Sequence, residues 1–166
     1  HRGLAYSHKG EHDKSIADLS KAADLAPKAA GIYLERGNSY ARKKENRSAI
    51  ADYTKAIDLD PKYPVVYYNR GNALINENQF DLAIADYTKA IDIDPKFAAA
   101  YSNRGNGYLQ KKEFDRAIAD ATRAIELDPK WVWAYRVRAE AYEAKGEKAD
   151  ADKDRQKAKE LEGRPD

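Results

Sequence analysis

Asparagine residues recur at a constant step in this 166-residue chain. Asn38, Asn72 and Asn106 are each 34 residues apart, and Asn69 and Asn103 form a second, shorter row at the same step. A carboxamide has both a hydrogen-bond donor and an acceptor, so stacked carboxamides can pair with the peptide groups of an extended chain. Asparagine is a poor helix former, and its repetition therefore needs some compensation. The alternative is that these side chains only solvate a helix face.

Other residues offer weaker candidates for chemistry. His8 and His12 have the four-residue spacing of metal ligands on a helix, but Lys9-Gly10 interrupts that helix. Gly105-Asn106-Gly107 lacks the preceding strand and the third glycine of a dinucleotide-binding loop. No serine, histidine and acidic residue recur in an arrangement that indicates a catalytic triad. We therefore expect a non-catalytic protein without a cofactor or a metal.

The composition disfavours two further classes of partner. Lysine and arginine total 30 and aspartate and glutamate total 28, so a chain that is 35% charged has a net charge of only +2. This near balance disfavours a nucleic-acid-binding surface, which usually has a marked basic excess. No apolar run approaches the ~20 residues of a membrane helix, so we expect no membrane partner. Because the chain begins at His1, we expect it to be part of a longer protein.

One segment of 34 residues is repeated along the whole chain. Ala49–Lys62 recurs as Ala83–Lys96, with 13 of 14 residues identical, and more loosely as Ala117–Lys130. Each repeat contains two stretches with helical periodicity, and an Asp-Pro pair marks the end of the second. Such a segment must stack on copies of itself to bury its apolar face. The predicted divisions are a partial repeat (1–29), three full repeats (30–63, 64–97 and 98–131) and a divergent repeat with a polar capping helix (132–166).

The repeat resembles the tetratricopeptide repeat, whose pattern places aromatic residues, leucine, glycine, alanine and proline at fixed positions. The fourth copy has Ala139 in place of the glycine, and the resemblance covers essentially the entire chain. It implies an all-α, right-handed superhelical solenoid of antiparallel helix pairs, about five repeats long with the first one truncated. The matching residues are Tyr33, Gly37, Tyr40, Ala49, Tyr53 and Pro61; Tyr67, Gly71, Leu74, Ala83, Tyr87 and Pro95; and Tyr101, Gly105, Tyr108, Ala117, Ala121 and Pro129.

One position departs from the family pattern in every repeat. Where the pattern has leucine before the glycine, this chain has arginine, and an aspartate follows each arginine after 16 residues. Two residues equally far from the turn of a helical hairpin face each other, so we infer an ion pair within each repeat. The alternative is that the arginines point into a groove and bind anions. The pairs are Arg2 with Asp18, Arg36 with Asp52, Arg70 with Asp86, Arg104 with Asp120, and Arg138 with Asp154.

In the proteins that this chain resembles, a neighbouring face of each first helix lines the concave inside of the superhelix and holds an extended peptide. The asparagine rows resemble the asparagine ladder in the repeat domain of the protein O-glycosyltransferases. The resemblance therefore implies binding of an extended segment of another protein. The candidate groove residues are Leu34, Asn38, Val65, Tyr68, Asn69, Asn72, Asn76, Ser102, Asn103, Asn106, Gln110, Trp133, Arg136 and Glu140.

A comparison with other members of the family narrows the class of peptide that the groove is expected to bind. Chaperone-adaptor members of the family hold acidic C-termini with basic residues. In this chain Leu34, Val65 and Val137 stand at places where such a clamp has basic groups, so an acidic C-terminus is disfavoured as the ligand.

Tyr63, Phe97 and Trp131 precede successive first helices. We interpret them as packing between repeats, with a role at the groove rim as the alternative.

A function of a different class is self-association. The truncated first repeat would leave the faces of Leu19, Ala22 and Ala23 without a partner, so homo-oligomers could form through the N-terminal edge. A third interpretation is a passive spacer between other domains.

Overall fold

The computed structural model describes residues 11–163, and within that range it contains nine helices and no strand. The all-α fold predicted from the repeat pattern is therefore confirmed. His8, Arg2 and the predicted pairing of Arg2 with Asp18 lie outside the described residues. The helices are α1 (His12–Leu25), α2 (Ala30–Arg42), α3 (Asn46–Leu59), α4 (Pro64–Asn76), α5 (Phe80–Ile93), α6 (Ala98–Gln110), α7 (Phe114–Leu127), α8 (Val132–Lys145) and α9 (Lys148–Glu162).

The helix boundaries follow the 34-residue step. Helices α2, α4, α6 and α8 begin at residues 30, 64, 98 and 132, where the sequence pattern begins its four later repeats. The turns that lead into α3, α7 and α9 each contain a residue with positive φ, which is 62° at Lys44, 61° at Lys112 and 83° at Gly146. Glycine adopts this left-handed conformation without strain, whereas lysine adopts it at a cost.

The chain forms two compact units, His1–Gln79 and Phe80–Asp166. In the N-terminal unit, α2 packs against α1 and α3, and α3 packs against α4. Alanine and aromatic side chains alternate in its core, so the helices approach closely on the alanine side while the rings fill the remaining space. The buried core residues are Ala23, Tyr33, Ala49, Tyr53, Ala56, Val66 and Ala73.

In the C-terminal unit, α6 packs against α5, α7 and α8, and α9 packs on α8. Helix α9 buries only small or paired side chains, namely Ala151, Asp154 and Ala158. Asp152 and Lys159, which replace apolar residues of the earlier copies, are exposed. This polar outer face is typical of the helix that terminates a stack of repeats.

Glycine in the first helix allows an aromatic ring of the second helix to pack against the backbone. A Cβ atom at Gly37 would lie 2.7 Å from the Tyr53 ring, so any larger residue would force the ring to move. At Gly105 the nearest atom would be the Ala117 carbonyl oxygen at 3.2 Å, because Ala121 takes the place of the ring.

Arg36, Arg104 and Arg138 each join three helices. Arg36 in α2 donates from Nε and Nη2 to the two carboxylate oxygens of Asp52 in α3, both at 2.7 Å. Its Nη1 donates to Ser20 Oγ in α1 at 3.0 Å. The sequence predicted only the aspartate that follows the arginine, and not this hydroxyl on the preceding helix. Arg104 makes the same bonds to Asp120 and Thr88, and Arg138 makes them to Asp154 and Thr122, while Arg70 donates to Thr54.

These arginines are directed between helices, which argues against the anion-binding alternative. The hydrogen bond to the aspartate raises the pKa of Arg36, Arg104 and Arg138 despite partial burial, so the pairs remain charged. Each guanidinium group also lies 5.6–5.8 Å from the ring centroid of a tyrosine one turn earlier on the same helix, a cation–π distance.

Surface ion pairs link consecutive repeats at a second place. They join the beginning of one second helix to the end of the next first helix, 30 residues later. Between α3 and α4 the signs are reversed, with Arg47 Nε 3.2 Å from Glu77 Oε2. The lysine pairs are Lys43–Asp13, Lys111–Asp81 and Lys145–Asp115.

The structure does not support the surface expected for self-association. Leu19 and Ala23 are only 6% exposed, Ala23 belongs to the core of the N-terminal unit, and Ala22 is half-buried. An unpartnered face at these residues was therefore a wrong expectation.

The buried arginine pairs predict a specific loss of stability. Asp120→Ala should lower the free energy of unfolding by about 3 kcal/mol, because it leaves the Arg104 guanidinium partly buried without its counter-charge. The control is Asp115→Ala, whose carboxylate is 86% exposed beside Lys145 and should cost less than about 1 kcal/mol. Urea denaturation followed by circular dichroism measures both, and equal effects of the two variants would contradict this account.

Candidate functional site

A cleft of about 320 Å³ lies in the N-terminal unit, and carboxamides dominate its lining. Helical periodicity explains the clustering, since residues three and four apart share one face of a helix. Asn38 and Arg42 are one turn apart on α2, and the asparagines of α4 follow the same spacing. We call this cleft the asparagine cleft, and its lining is Asn38, Ala41, Arg42, Asn46, Tyr53, Asn69, Asn72, Ala73 and Asn76.

Two donors hold the oxygen of Asn38 at the centre of the asparagine cleft. The Tyr53 hydroxyl donates to Asn38 Oδ1 at 2.9 Å, and Asn69 Nδ2 donates to the same oxygen at 3.0 Å. Tyr53 is buried, and burial raises the pKa of its hydroxyl, so the group remains a donor at neutral pH. The bonds fix the orientation of the carboxamide, with its oxygen toward the protein and its Nδ2 group as the end that remains for a ligand.

This network changes the sequence expectation in one respect. A single asparagine was expected to offer both a donor and an acceptor to a peptide group. At Asn38 the acceptor is already used within the chain, so the complementary acceptor must come from a neighbouring carboxamide. Asn69 is suitably placed, because its nitrogen is bonded to Asn38 and its Oδ1 is the other end of the same planar group.

The remaining candidates of the N-terminal unit lie along the same two helices. Asn72 and Asn76 line the asparagine cleft. Val65 is exposed and Tyr68 is half-buried. Leu34, one turn before Asn38 on α2, lines a separate cavity of about 340 Å³ between the end of α3 and the starts of α2 and α4. We call it the apolar pocket, and its lining is Lys28, Ala30, Gly31, Leu34, Ala56, Leu59, Asp60, Tyr63 and Val66.

Ser102 was wrongly assigned to the groove. Its side chain is 0% exposed, its hydroxyl donates to the Ala99 carbonyl at 3.0 Å, and it accepts a hydrogen bond of 2.9 Å from Trp131 Nε1. A short hydroxyl is satisfied by its own helix, and the indole then covers it, so no ligand can reach it. The same bond shows that the Trp131 indole packs on α6 of its own repeat, whereas packing between repeats was predicted.

The other candidates of the C-terminal unit are accessible to different degrees. Asn103 and Asn106 are half-buried, and Gln110 Nε2 lies 3.5 Å from Asn106 Oδ1. Trp133 and Glu140 are exposed. Arg136 forms an ion pair with Glu162, so its charge is already engaged.

Sequence reasoning did not place Tyr53 or Asn46 at the asparagine cleft. Tyr53 was assigned only to packing, and Asn46 was not assigned at all. The signal for Tyr53 was present, since the 16-residue spacing that faces it toward Gly37 also brings its hydroxyl beside the next residue, Asn38. Asn46 begins α3, and its place at the cleft follows from the tight turn before that helix.

Two general properties of residues 11–163 accompany this site. No helix in that range combines the length and the apolar character needed to cross a lipid bilayer. Within the same range, no three potential metal-ligating side chains come together.

The raised pKa of Tyr53 predicts a loss of stability at alkaline pH. The unfolded chain releases this proton near pH 10 and the folded chain only at higher pH, so the free energy of unfolding falls as pH rises above ~10. Tyr53→Phe should remove up to ~1.4 kcal/mol per pH unit of that slope. Urea denaturation at several values between pH 9 and pH 11 measures it, and an unchanged slope would contradict the assignment.

Tetratricopeptide repeat models match most of the chain. The models described as "Tetratricopeptide repeat" match residues 64–97, 98–130 and 1–28, and a model described as "TPR repeat" matches residues 37–76. A comparison with curated protein sequences gives no match.

Solved structures of similar fold belong to the same class. The crystal structure of MamA is 29% identical, over 96% of this chain and 94% of that chain, with a TM-score of 0.89. YrrB, described as a TPR protein with an unusual peptide-binding site, is 23% identical, over 96% of this chain and 82% of that chain, with a TM-score of 0.81. The first TPR of Spaghetti (RPAP3), bound to the HSP90 peptide SRMEEVD, is 30% identical, over 70% of this chain and 93% of that chain, with a TM-score of 0.69.

The repeat pattern, the helical hairpins and the family models agree over residues 37–130, which is more than half of the chain. The chain belongs to the tetratricopeptide repeat family, whose members are protein-interaction modules.

Proposed function

We propose that this chain binds an extended segment of another protein, and that the asparagine cleft holds the backbone of that segment. The observation that carries the proposal is the fixed carboxamide of Asn38, whose oxygen accepts from Tyr53 and Asn69. A side chain held in one orientation loses little conformational entropy when a ligand binds. The cleft is thus pre-organised to donate to a ligand carbonyl.

The backbone of the ligand supplies the complementary groups. Its carbonyl oxygen accepts from Asn38 Nδ2, and its N–H donates to Asn69 Oδ1 or to the carboxamides of Asn72 and Asn76. Each such bond contributes roughly 0.5–1.5 kcal/mol net. After the cost of ordering the peptide, three or four bonds and a few side-chain contacts correspond to about micromolar affinity. Recognition through the backbone also tolerates many ligand sequences.

A similar repeat domain that holds a peptide supports this class of ligand. The Spaghetti (RPAP3) repeat was solved with an HSP90 peptide that ends in two acidic residues, valine and aspartate. In the present chain Leu34 and Val65 occupy places where a clamp for acidic tails has basic side chains, and neither can pair with a carboxylate. We therefore propose a ligand held along its backbone, and an acidic C-terminal tail is not the favoured one.

An isosteric substitution tests the role of Asn38. Asn38→Asp keeps the oxygen that accepts from Tyr53 and Asn69 but replaces the outward Nδ2 donor with an acceptor. The fold should be retained, while binding to a fluorescein-labelled peptide selected from a phage-displayed library of random 12-residue peptides should weaken about tenfold or more. Fluorescence anisotropy measures the affinity, and circular dichroism checks the fold.

The matched control is Asn78→Asp, which makes the same charge change on the exposed turn after α4 and outside the cleft. It should bind as the wild type does. Methylation of individual backbone nitrogens of the peptide should abolish binding at one or two positions. Equal affinity of Asn38→Asp and the wild type, or failure of the library to give any binder, would overturn the proposal.

A further inference from the structure

We propose that the apolar pocket is a specificity subsite that takes a phenylalanine side chain of the bound segment. The inference rests on the proposed function and adds to it a side-chain requirement, since carboxamides that hold a backbone select no particular residue. Six of the nine lining residues are apolar, and the two charged ones, Lys28 and Asp60, have opposite signs. A neutral, apolar side chain therefore fits this lining.

The equivalent place in the C-terminal unit is filled by an aromatic ring of the chain itself. Two repeats of 34 residues relate Leu34 to Ser102 and Tyr63 to Trp131. The Trp131 indole turns inward and bonds to Ser102 at 2.9 Å. Tyr63 instead remains 54% exposed and leaves the cavity of about 340 Å³ open. The chain thus shows, in its other unit, what kind of group occupies this position.

The difference between the two places selects the type of aromatic residue. Trp131 satisfies its indole N–H with the hydroxyl of Ser102. In the apolar pocket Leu34 replaces that hydroxyl, and the Asp60 carboxylate at the rim already accepts from the Lys62 N–H at 3.2 Å, so an indole placed as Trp131 is would find no acceptor at the position of Leu34. Phenylalanine carries no polar group and avoids that cost. A flat ring also stacks favourably beside Tyr63 at the rim.

The spacing between the two cavities matches an extended peptide. Leu34 and Asn38 are one helical turn apart, which separates their side chains by about 5–6 Å. Alternate side chains of an extended chain lie on the same side and are about 6.5 Å apart. A peptide whose backbone bonds to Asn38 therefore brings a side chain over the apolar pocket two residues away.

Gly31 forms part of the pocket opening and allows it to be closed without disturbing the fold. A Cβ atom there would meet nothing within 4 Å, so a larger side chain is sterically accepted. The equivalent residues of the later repeats are Val65, Ala99 and Trp133, so the chain itself carries tryptophan at this position. Val65 and Trp133 are both exposed, so Gly31→Trp should fold and cover the pocket opening, whereas Gly31→Ala should leave it open and stabilise α2.

The test uses N-acetyl-phenylalaninamide as the probe. The control compound is N-acetyl-alaninamide, which lacks the phenyl ring. In ¹H–¹⁵N NMR spectra of the whole chain, the first compound at millimolar concentration should shift the backbone signals of Gly31, Leu34 and Leu59, and the second should not. The shifts should persist in Gly31→Ala and disappear in Gly31→Trp. No shift in the wild type, or an equal shift in Gly31→Trp, would overturn the proposal.

A second measurement separates this proposal from the proposed function. Asn38→Asp should still give the shifts with N-acetyl-phenylalaninamide although it weakens the library peptide, so the two cavities are tested independently. Replacing the phenylalanine of the library peptide that enters the apolar pocket with alanine should reduce its affinity for the wild-type protein about 10- to 100-fold. The same change in the peptide should not alter its affinity for the Gly31→Trp protein. An equal loss of affinity for both proteins would show that the phenylalanine ring binds elsewhere.

Discussion

Arg36, Arg104 and Arg138 constrain the orientation of the first helices α2, α6 and α8, because each is held from two neighbouring helices. Arg36 is held by a carboxylate of the following helix and by a hydroxyl of the preceding one, and Arg104 and Arg138 repeat the arrangement. A fork of fixed geometry with partners on both sides leaves the helix little rotational freedom. A buried pair contributes little to net stability, but the loss of one partner is costly, so we infer that the arrangement favours one packing of the neighbouring helices.

This constraint places the carboxamides. Asn38 follows Arg36 by two residues, and two residues correspond to about 200° around a helix. Gly37 lies between them and faces the Tyr53 ring of α3, so Arg36 and Asn38 flank that contact, about 100° to either side. Arg36 reaches Asp52 on one flank, and Asn38 meets the Tyr53 hydroxyl and the nitrogen of Asn69 on the other. The structural interaction and the candidate binding surface are consequences of one helix orientation.

The repeat pattern was sufficient to predict the helices, because a 34-residue step, helical periodicity and Asp-Pro stops all report local structure. It also predicted that Arg36 faces Asp52, since two residues equidistant from a turn must meet. It could not predict which polar groups are already satisfied by neighbours in space. Ser102 lies under the Trp131 indole, and the Asn38 oxygen is shared by two donors, because contacts between residues 15 to 31 positions apart in the sequence decide these outcomes.

The arginine Nε–H groups can be observed directly by ¹H–¹⁵N NMR, and their hydrogen exchange with water reports whether each guanidinium is held. Arg36, Arg104 and Arg138 should give slowly exchanging signals, because each Nε–H donates to an aspartate between helices. Arg47, whose side chain is 91% exposed, should exchange rapidly. Exchange of all four groups at the same fast rate would show that the arginines do not hold the helices, and the orientation of the asparagine face would then have no physical basis.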